Sequence, residues 1–580
     1  MRARPRQKPQ AGSTLVLVLV FAVVGLTLLG SVLSWTGNQE TMVQRRAQFQ
    51  GSVAAAEAAT ELAIGQMAKD FQDSGATAVD SKLASYSTLV PSGLPATYVF
   101  RSPDGGANPL SVQRLTNWSY GAVGSALPGL RGNVATYQVG CRAQPTAGLI
   151  RPSTQVQQQI QFASVPVFQF GLFYASDLEL TPSANWQISG RVHANGAVYC
   201  QPAQATLTFM QPVTAAGAIL HTKNPLDPVV RTPGTIAYGA GSLAGVKSLL
   251  LPVGTNNSPD TLHALLEVPP LSESTNSALG RQRYYNKADM IILVRATSST
   301  ATSGAYNGFA TVIPWSSVSA STSGGKARKG RAGWTGRKST AFVDTGPTFY
   351  DAREGKNWAV TEVDLGAFYT NYAYYQSVLG RPVKVLYIAD LRTVAYSVVR
   401  LINGQTLPAQ GLTIATPNPL YVQGHFNAPT AALGTTNTSG TVPASLVSDA
   451  ITCLSVSWND ANSTGTLSKR VASDTTVNAA MLTGIVPTGG GYYSGGADNA
   501  IRLLENWSGK TLTFNGSLVV LFNSRMATAP WGTSAQVSSP PNRRYNFDPN
   551  FLDSLKLPPG TLELRAGFRT KYSAGAAPSS

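Results

Sequence analysis

Charge is scarce in this chain. Only 12% of its 580 residues are Asp, Glu, Lys or Arg, against 43% hydrophobic. The deficit is filled by Gly, Ser, Thr, Asn, Gln and Ala, a mixture that leaves room for a sizeable core. It suits short strands and many turns better than helix bundles. Cysteine is nearly absent: Cys141, Cys200 and Cys453 lie far apart, which excludes a metal knuckle or a CxxC redox pair. They read as small buried apolar residues. The four histidines, His193, His221, His263 and His425, form no HxH or HExxH pair, so no histidine-built metal site is expected. There is no GxSxG, no P-loop and no GxGxxG in a strand context. Gly489-Gly490-Gly491 precedes Tyr492-Tyr493 with no Lys-Ser/Thr after it, and reads as a loop. No catalytic residue, cofactor or metal is therefore assigned.

What charge there is leans one way. The net charge is +16, and Arg2, Arg4, Arg6 and Lys8 crowd the first residues. A basic surface favours anionic partners such as nucleic acid, acidic glycan or phospholipid headgroups, and it also simply aids solubility. After this basic stretch, Leu15–Leu33 is uncharged for nineteen residues. As a helix it spans about 28 Å, enough to cross a bilayer core. Basic flanking residues predict a cytoplasmic N-terminus and an exported remainder. The run is longer than the core of a cleaved secretory signal and is followed by Trp35, a candidate interfacial anchor. Gly25 and Gly30 inside it permit close helix packing. From Gln39 to Phe71 the helix is expected to continue, with Met42, Phe49, Val53, Ala56, Ile64, Met67 and Phe71 on one apolar stripe. Arg45, Glu61, Lys69 and Asp70 lie off the stripe, and Asp73-Ser74-Gly75 marks the stop.

The run Gly12-Ser-Thr-Leu-Val-Leu-Val-Leu-Val-Phe-Ala-Val-Val-Gly-Leu-Thr-Leu-Leu-Gly30, followed by Ala-Ala-Glu57-Ala-Ala, resembles the N-terminus of PilX-type minor pilins. It is also similar to the related large pseudopilins of type II secretion. The resemblance implies a short basic leader cut after glycine by a prepilin peptidase, here between Gly12 and Ser13. It further implies a helix that packs with other pilin-like subunits, carried by Leu17, Phe49, Val53, Glu57 and Glu61. Major pilins have glutamate at the fifth mature position; this chain has Leu17, which fits PilX-type and tip-type proteins rather than a bulk filament subunit. The implied location is the bacterial inner membrane, crossed once, with the head periplasmic or extracellular.

Beyond Thr77 the helical stripe ends. Strands are predicted at 96–100, 135–140 and 155–162; Gln158 interrupts the apolar face of the last, which reads as an exposed or edge strand. In 168–200, Leu178 and Leu180 share one face, as do Trp186, Ile188, Gly190 and Val192. Val192-His-Ala-Asn-Gly196-Ala-Val198 is echoed at Val213-Thr-Ala-Ala-Gly217-Ala-Ile219, which suits coils of a β-solenoid. His193 and Asn195 read as a turn bonding its own backbone. Further strands are predicted at 384–390, 395–402, 411–427 and 512–523, short helices at 442–455 and 475–485, and an extended Pro-rich stretch from 540 onward.

The fold expected is α+β: a long transmembrane and stalk helix followed by a large, mostly β head, solenoid-like in part. Its segments are a leader (1–12), a membrane helix (13–34), an amphipathic stalk (35–72) and β-rich regions at 73–165 and 166–296. A Ser/Gly/basic loop (297–340), a β-rich region with short helices (341–560) and a tail (561–580) complete it. Lys326, Arg328, Lys329, Arg331, Trp334, Arg337 and Lys338 in the loop are candidate anion-binding residues, for DNA or acidic glycan. Asp177 with Glu179, and Asp351 with Glu354, Glu362 and Asp364, are the acidic groupings a polysaccharide-degrading head would use. Three functions follow in order of preference. The first is a non-enzymatic pilin-like or pseudopilin-like assembly component in contact with inner-membrane lipid. The second is a signal-anchored adhesin for DNA or acidic polysaccharide, and the third is a solenoid enzyme.

Overall fold

The computed structural model describes residues 13–577, except 125–126, 128, 149–150, 255, 297–307, 315–341, 393–395 and 533–536. The class is α+β, one long N-terminal helix carrying a large β-rich head. Helix α1 runs unbroken over Ser13–Ser74, about 93 Å at 1.5 Å per residue. It stops at Gly75, whose φ of +80° costs glycine little and other residues more.

Five strands follow: β1 (Tyr98–Arg101), β2 (Leu110–Arg114), β3 (Ser119–Ala122), β4 (Arg131–Pro145) and β5 (Thr154–Pro166). The next ten are short: β6 (Leu172–Tyr174), β7 (Leu178–Leu180), β8 (Trp186–Ile188), β9 (Val192–Ala194), β10 (Val198–Cys200), β11 (Thr206–Phe209), β12 (Val213–Ala215), β13 (Ile219–Leu220), β14 (Thr235–Tyr238) and β15 (Ser242–Ala244). After a connector come β16 (Met290–Ala296), β17 (Gly308–Pro314), β18 (Val343–Asp344), β19 (Thr348–Asp351), β20 (Lys356–Asp364), β21 (Val385–Asp390), β22 (Ser397–Ile402), β23 (Leu412–Ala415) and β24 (Leu420–Gln423). The chain closes with β25 (Ala444–Val447), β26 (Ile451–Leu454), β27 (Thr475–Ile485), β28 (Ile501–Leu503), β29 (Thr511–Asn523), β30 (Asn542–Phe547) and β31 (Glu563–Ala576).

These strands build two bodies. In the first, β1, β2 and β3 all pair along β4, β4 pairs with β5, and β5 pairs with β31, all antiparallel. The second body is a parallel solenoid inserted between β5 and β31. Its first coils repeat three faces: β6, β9, β12 and β15 stack on one, β7, β10 and β13 on the next, β8, β11 and β14 on the third. The register pairs Val192 with Val213 and Val198 with Ile219, so the echo in the sequence is one coil lying on the next. The later coils alternate β16, β21, β23, β25, β27 and β29 with β20, β22, β24, β26 and β28.

The order of stacking is not the order of the chain. The last long strand, β29, lies beside the first, β6, with Leu518 opposite Leu172. The coils from β16 to β29 and those from β6 to β15 therefore advance in one direction. The chain enters and leaves the solenoid at its middle, and the connector 245–289 links its two ends. Entry and exit strands are β5 and β31, which pair with each other. Apolar residues inside the coils form one core. A second core joins β4, β5 and β31, the connector and the outer face of the long parallel sheet, so the antiparallel sheet and the solenoid share a core.

Four expectations change. Residues 442–455 and 475–485 hold strands β25, β26 and β27, not helices. Every residue of β27 is buried, and a strand covered on both faces shows no alternation to mark it. Strand β5 is interior to its sheet, not an edge. The expected tail at 561–580 is mostly β31. The helix stops at Ser74 rather than before Asp73.

Candidate assembly helix and the carboxylates of the head

Helix α1 divides into two halves by its surroundings. From Leu15 to Leu33 every large apolar side chain is exposed, Leu15 at 73% and Leu28 at 61%. This half is long and apolar enough to cross a membrane. A Cβ on Gly25 or Gly30 would meet nothing within 4 Å, so both bare faces are open. From Gly51 onward the helix is seated on the antiparallel sheet: Ala55, Ala56, Ala59, Ala63, Met67 and Phe71 are buried against β4 and β5. Small residues let the backbone approach the sheet closely, and Phe71 closes the seat against Phe162, 4.9 Å between ring centres.

The five residues assigned to assembly fall on different sides of this division. Leu17 and Phe49 are exposed. Val53 packs on the core of the seat, and Glu57 is half-exposed. Glu61 belongs to the seat: it accepts from Gln158 Nε2 at 2.9 Å and pairs with Arg569 of β31. Asp70, expected off the stripe, is buried and accepts from Lys82 Nζ at 2.9 Å and Tyr86 hydroxyl at 2.7 Å. Burial works to raise its carboxyl, but Tyr86 and Lys82 outweigh burial and hold it below the usual range. The C-terminus of α1 is held by Arg565 of β31, whose Nη1 donates to the carbonyls of Phe71 and Gln72, both at 2.9 Å. A guanidinium there adds to the Gly75 N–H bond on Phe71 and supplies a donor to Gln72, at the negative end of the helix. Of the processing pair, Ser13 begins α1; Gly12 and Lys326, Arg328, Lys329, Arg331, Trp334, Arg337 and Lys338 lie outside the described residues.

The acidic groupings are each committed to local bonds. Asp351 accepts from the backbone of Arg353 and Glu354 and from the Tyr421 hydroxyl at 2.5 Å. Glu354 pairs with Arg502 at 2.8 Å, both side chains at most 5% exposed. Glu362 and Asp460 share Arg400, and Asp364 caps the helix Leu365–Thr370 through Ala367 N–H. Asp177 accepts from Ala197 N–H at 2.7 Å, at an exposed corner. Glu179, grouped with it in the sequence, is instead buried beneath residues 488–496. That cover comes from some three hundred positions away in the chain and has no local signal.

Asn195 and His263 pin the connector to the solenoid. His193 is not a self-bonded turn. It lies in β9, bonded to Thr214 Oγ1 at 2.8 Å and Asn195 Oδ1 at 3.0 Å, with Phe173 stacked 5.5 Å away. Asn195 bonds the backbone of Leu249 in both directions. Burial pushes the His193 imidazole down to about 4, so it is neutral at pH 7. His263 sits between Glu267 at 2.9 Å and the buried Asp449 at 3.0 Å. Burial favours its neutral form, but the two carboxylates override burial and raise its pKa. The three cysteines are free and buried, and burial pushes each thiol up to about 12.

No protein-family model matches the chain. No curated protein matches it either. Among solved structures it is similar to the competence-associated pilin ComZ of Thermus thermophilus, at 11% identity and a TM-score of 0.30, over 90% of this chain and 98% of that one. A TM-score of 0.30 is too slight a likeness to carry an argument.

Proposed function

We propose that the chain is a membrane-anchored structural component of a type IV pilus or type II secretion-like assembly, of the PilX-type minor pilin or pseudopilin kind. The observation that supports this most is the division of α1. One continuous helix has an uncharged half, apolar on all sides and standing clear of the head, and a half locked onto a sheet. A helix apolar all round needs lipid or other helices about it. In this reading Leu15–Leu33 spans the bacterial inner membrane once, with the basic leader cytoplasmic and the head outside. On assembly the helix leaves lipid and packs beside other pilin-like helices. The sheet and the second core transmit the helix position to the solenoid. Cleavage between Gly12 and Ser13 by a prepilin peptidase precedes assembly, and no catalysis by the head is invoked.

Intact-mass and N-terminal analysis of the protein purified from its host's membranes tests this. A chain beginning at Ser13 with a methylated amine is expected. A chain retaining its leader in the assembled fraction would overturn the processing step and with it the pilin-like reading.

A further inference from the structure

Where the first coil meets the last, segment 485–496 covers a cleft of about 510 Å³. Its polar wall includes Tyr174, Asp177, Glu179, Tyr199, Thr488 and Ser494, with the amides of Asn224 and Asn523 beside them, and among the described residues no lysine, arginine or histidine lines it. Glu179 is 6% exposed and Tyr174 1%. One carboxylate oxygen of Glu179 accepts from Thr488 Oγ1 at 2.6 Å and Ser494 Oγ at 3.2 Å. The other, Oε2, has no partner among the described residues, and neither has the Tyr174 hydroxyl. A buried carboxylate with an empty lone pair is costly, because low dielectric strengthens every unmet interaction. Burial raises the Glu179 carboxyl above its usual range; Thr488 and Ser494 oppose this, while Asp227 and Asp177 add to it. Asp227 has its own cation, Arg231, at 2.5 Å. Asp177, at the mouth, binds one backbone N–H and has no ion pair among the described residues.

These two oxygens therefore lack a donor, and the described lining of the cleft lacks positive charge. A neutral hydroxyl supplies the first and not the second. A hard metal ion wants several oxygen ligands, and the described residues hold no group of three His, Cys, Asp or Glu side chains able to bind one. An ammonium group supplies both, and Leu226 and Pro259 on the same wall suit a carbon chain.

We propose that this cleft binds an alkylammonium ion, whose N–H groups donate to Glu179 Oε2 and to the Tyr174 oxygen, with Asp177 supplying a second negative charge at the mouth. The ring of Tyr199 offers a face for the cation. The ion comes either as a free diamine or as the side chain of a partner's lysine.

Calorimetric titration of the full-length protein in detergent micelles, at pH 8 and fixed ionic strength, tests this with cadaverine, Nα-acetyl-lysinamide and the uncharged 1,5-pentanediol. One-to-one binding of cadaverine without pentanediol is expected. Glu179→Gln weakens it at least about tenfold, as loss of a charge-assisted hydrogen bond does, and Tyr174→Phe weakens it less. Acetyl-lysinamide binding as tightly as cadaverine assigns the cleft to a lysine side chain, and cadaverine alone to a free diamine. Failure of both ammonium probes to bind the unaltered protein overturns the proposal. So does equal binding of pentanediol, or unchanged affinity in both variants.

Discussion

Gln158 of β5 donates through Nε2 to Thr60 Oγ1 of α1 at 2.9 Å, and to Glu61 Oε1 at the same distance. It is 1% exposed, a polar side chain in the middle of the seat. The bond ties the stalk helix to the sheet in one register, because sliding the helix by a turn would bury these groups unpaired. Replacing Gln158 by Leu is expected to cost about 1–3 kcal/mol of local stability. Hydrogen exchange of the Ala55–Phe71 amides reads this directly, and faster exchange confined to that stretch is the expected result.

The C-terminal end of α1 offers a second check. Arg565→Ala removes both hydrogen bonds to the last carbonyls and the favourable charge at the negative end of the helix. A loss of about 1–2 kcal/mol is expected, with fraying of residues 68–74 in the same exchange experiment. Arg565→Lys keeps the charge but not the fork geometry, and recovers part of the loss.

The two buried histidines predict opposite responses to pH. His193 has a depressed pKa, so the unfolded chain binds its proton first as pH falls. The stability it carries is present above about pH 6.5 and lost as pH falls towards about 4. That loss amounts to about 3 kcal/mol, as an order of magnitude, and His193→Gln flattens the acid limb of a pH-dependent unfolding curve. His263 has a raised pKa, held by Asp449 and Glu267 with Arg525 opposing. Its contribution is complete below about pH 6.5 and is lost as pH rises through the folded value. His263→Gln therefore destabilises more at pH 6 than at pH 9.

At the seam of the solenoid, a Cβ on Gly190 would lie 2.6 Å from the Gly171 Cα and 2.7 Å from the Phe547 Cβ. Gly190→Ala is expected to destabilise by about 1–3 kcal/mol through forced backbone shifts. Limited proteolysis should then open the seam between β6 and β30, while α1 stays on its sheet.

Glu354 and Arg502 form a buried pair beneath the 527–529 backbone. Breaking it with Glu354→Gln leaves a buried guanidinium uncompensated and should cost about 3–5 kcal/mol. A solvated surface carboxylate would cost almost nothing, so thermal melting distinguishes the two.

Periodic and local features of this architecture are visible in the residues themselves. The uncharged run Leu15–Leu33 and the stripe ending at Phe71 mark the helix. The first coils show because the stretches beginning at Val192 and Val213 share their Val, Ala, Gly and Ala positions. The later coils start at 385, 412, 444, 475 and 511, without a fixed period, so no repeat announces them. Gln158 misleads because its partners, Thr60 and Glu61, lie on another element; alone, it looks like a residue facing water. Glu179 misleads in the same way, its cover supplied by Thr488 and Ser494. Strand β31 is hidden for a third reason: its partner, β5, lies some four hundred residues earlier, across the whole inserted solenoid.

In the proposed assembly the exposed half of α1 packs against other helices. Photo-crosslinking in the native host, with a benzophenone side chain at Leu29 or Val43, tests it most directly. Both residues are more than half exposed, whereas Ala56 is fully buried against the chain's own sheet. Cross-links are expected from Leu29 and Val43 to the N-terminal helices of other pilin-like subunits, and from Ala56 only within the chain. Lipid adducts alone at Leu29 and no protein adduct at Val43, under conditions where filaments or secretion complexes form, would contradict it.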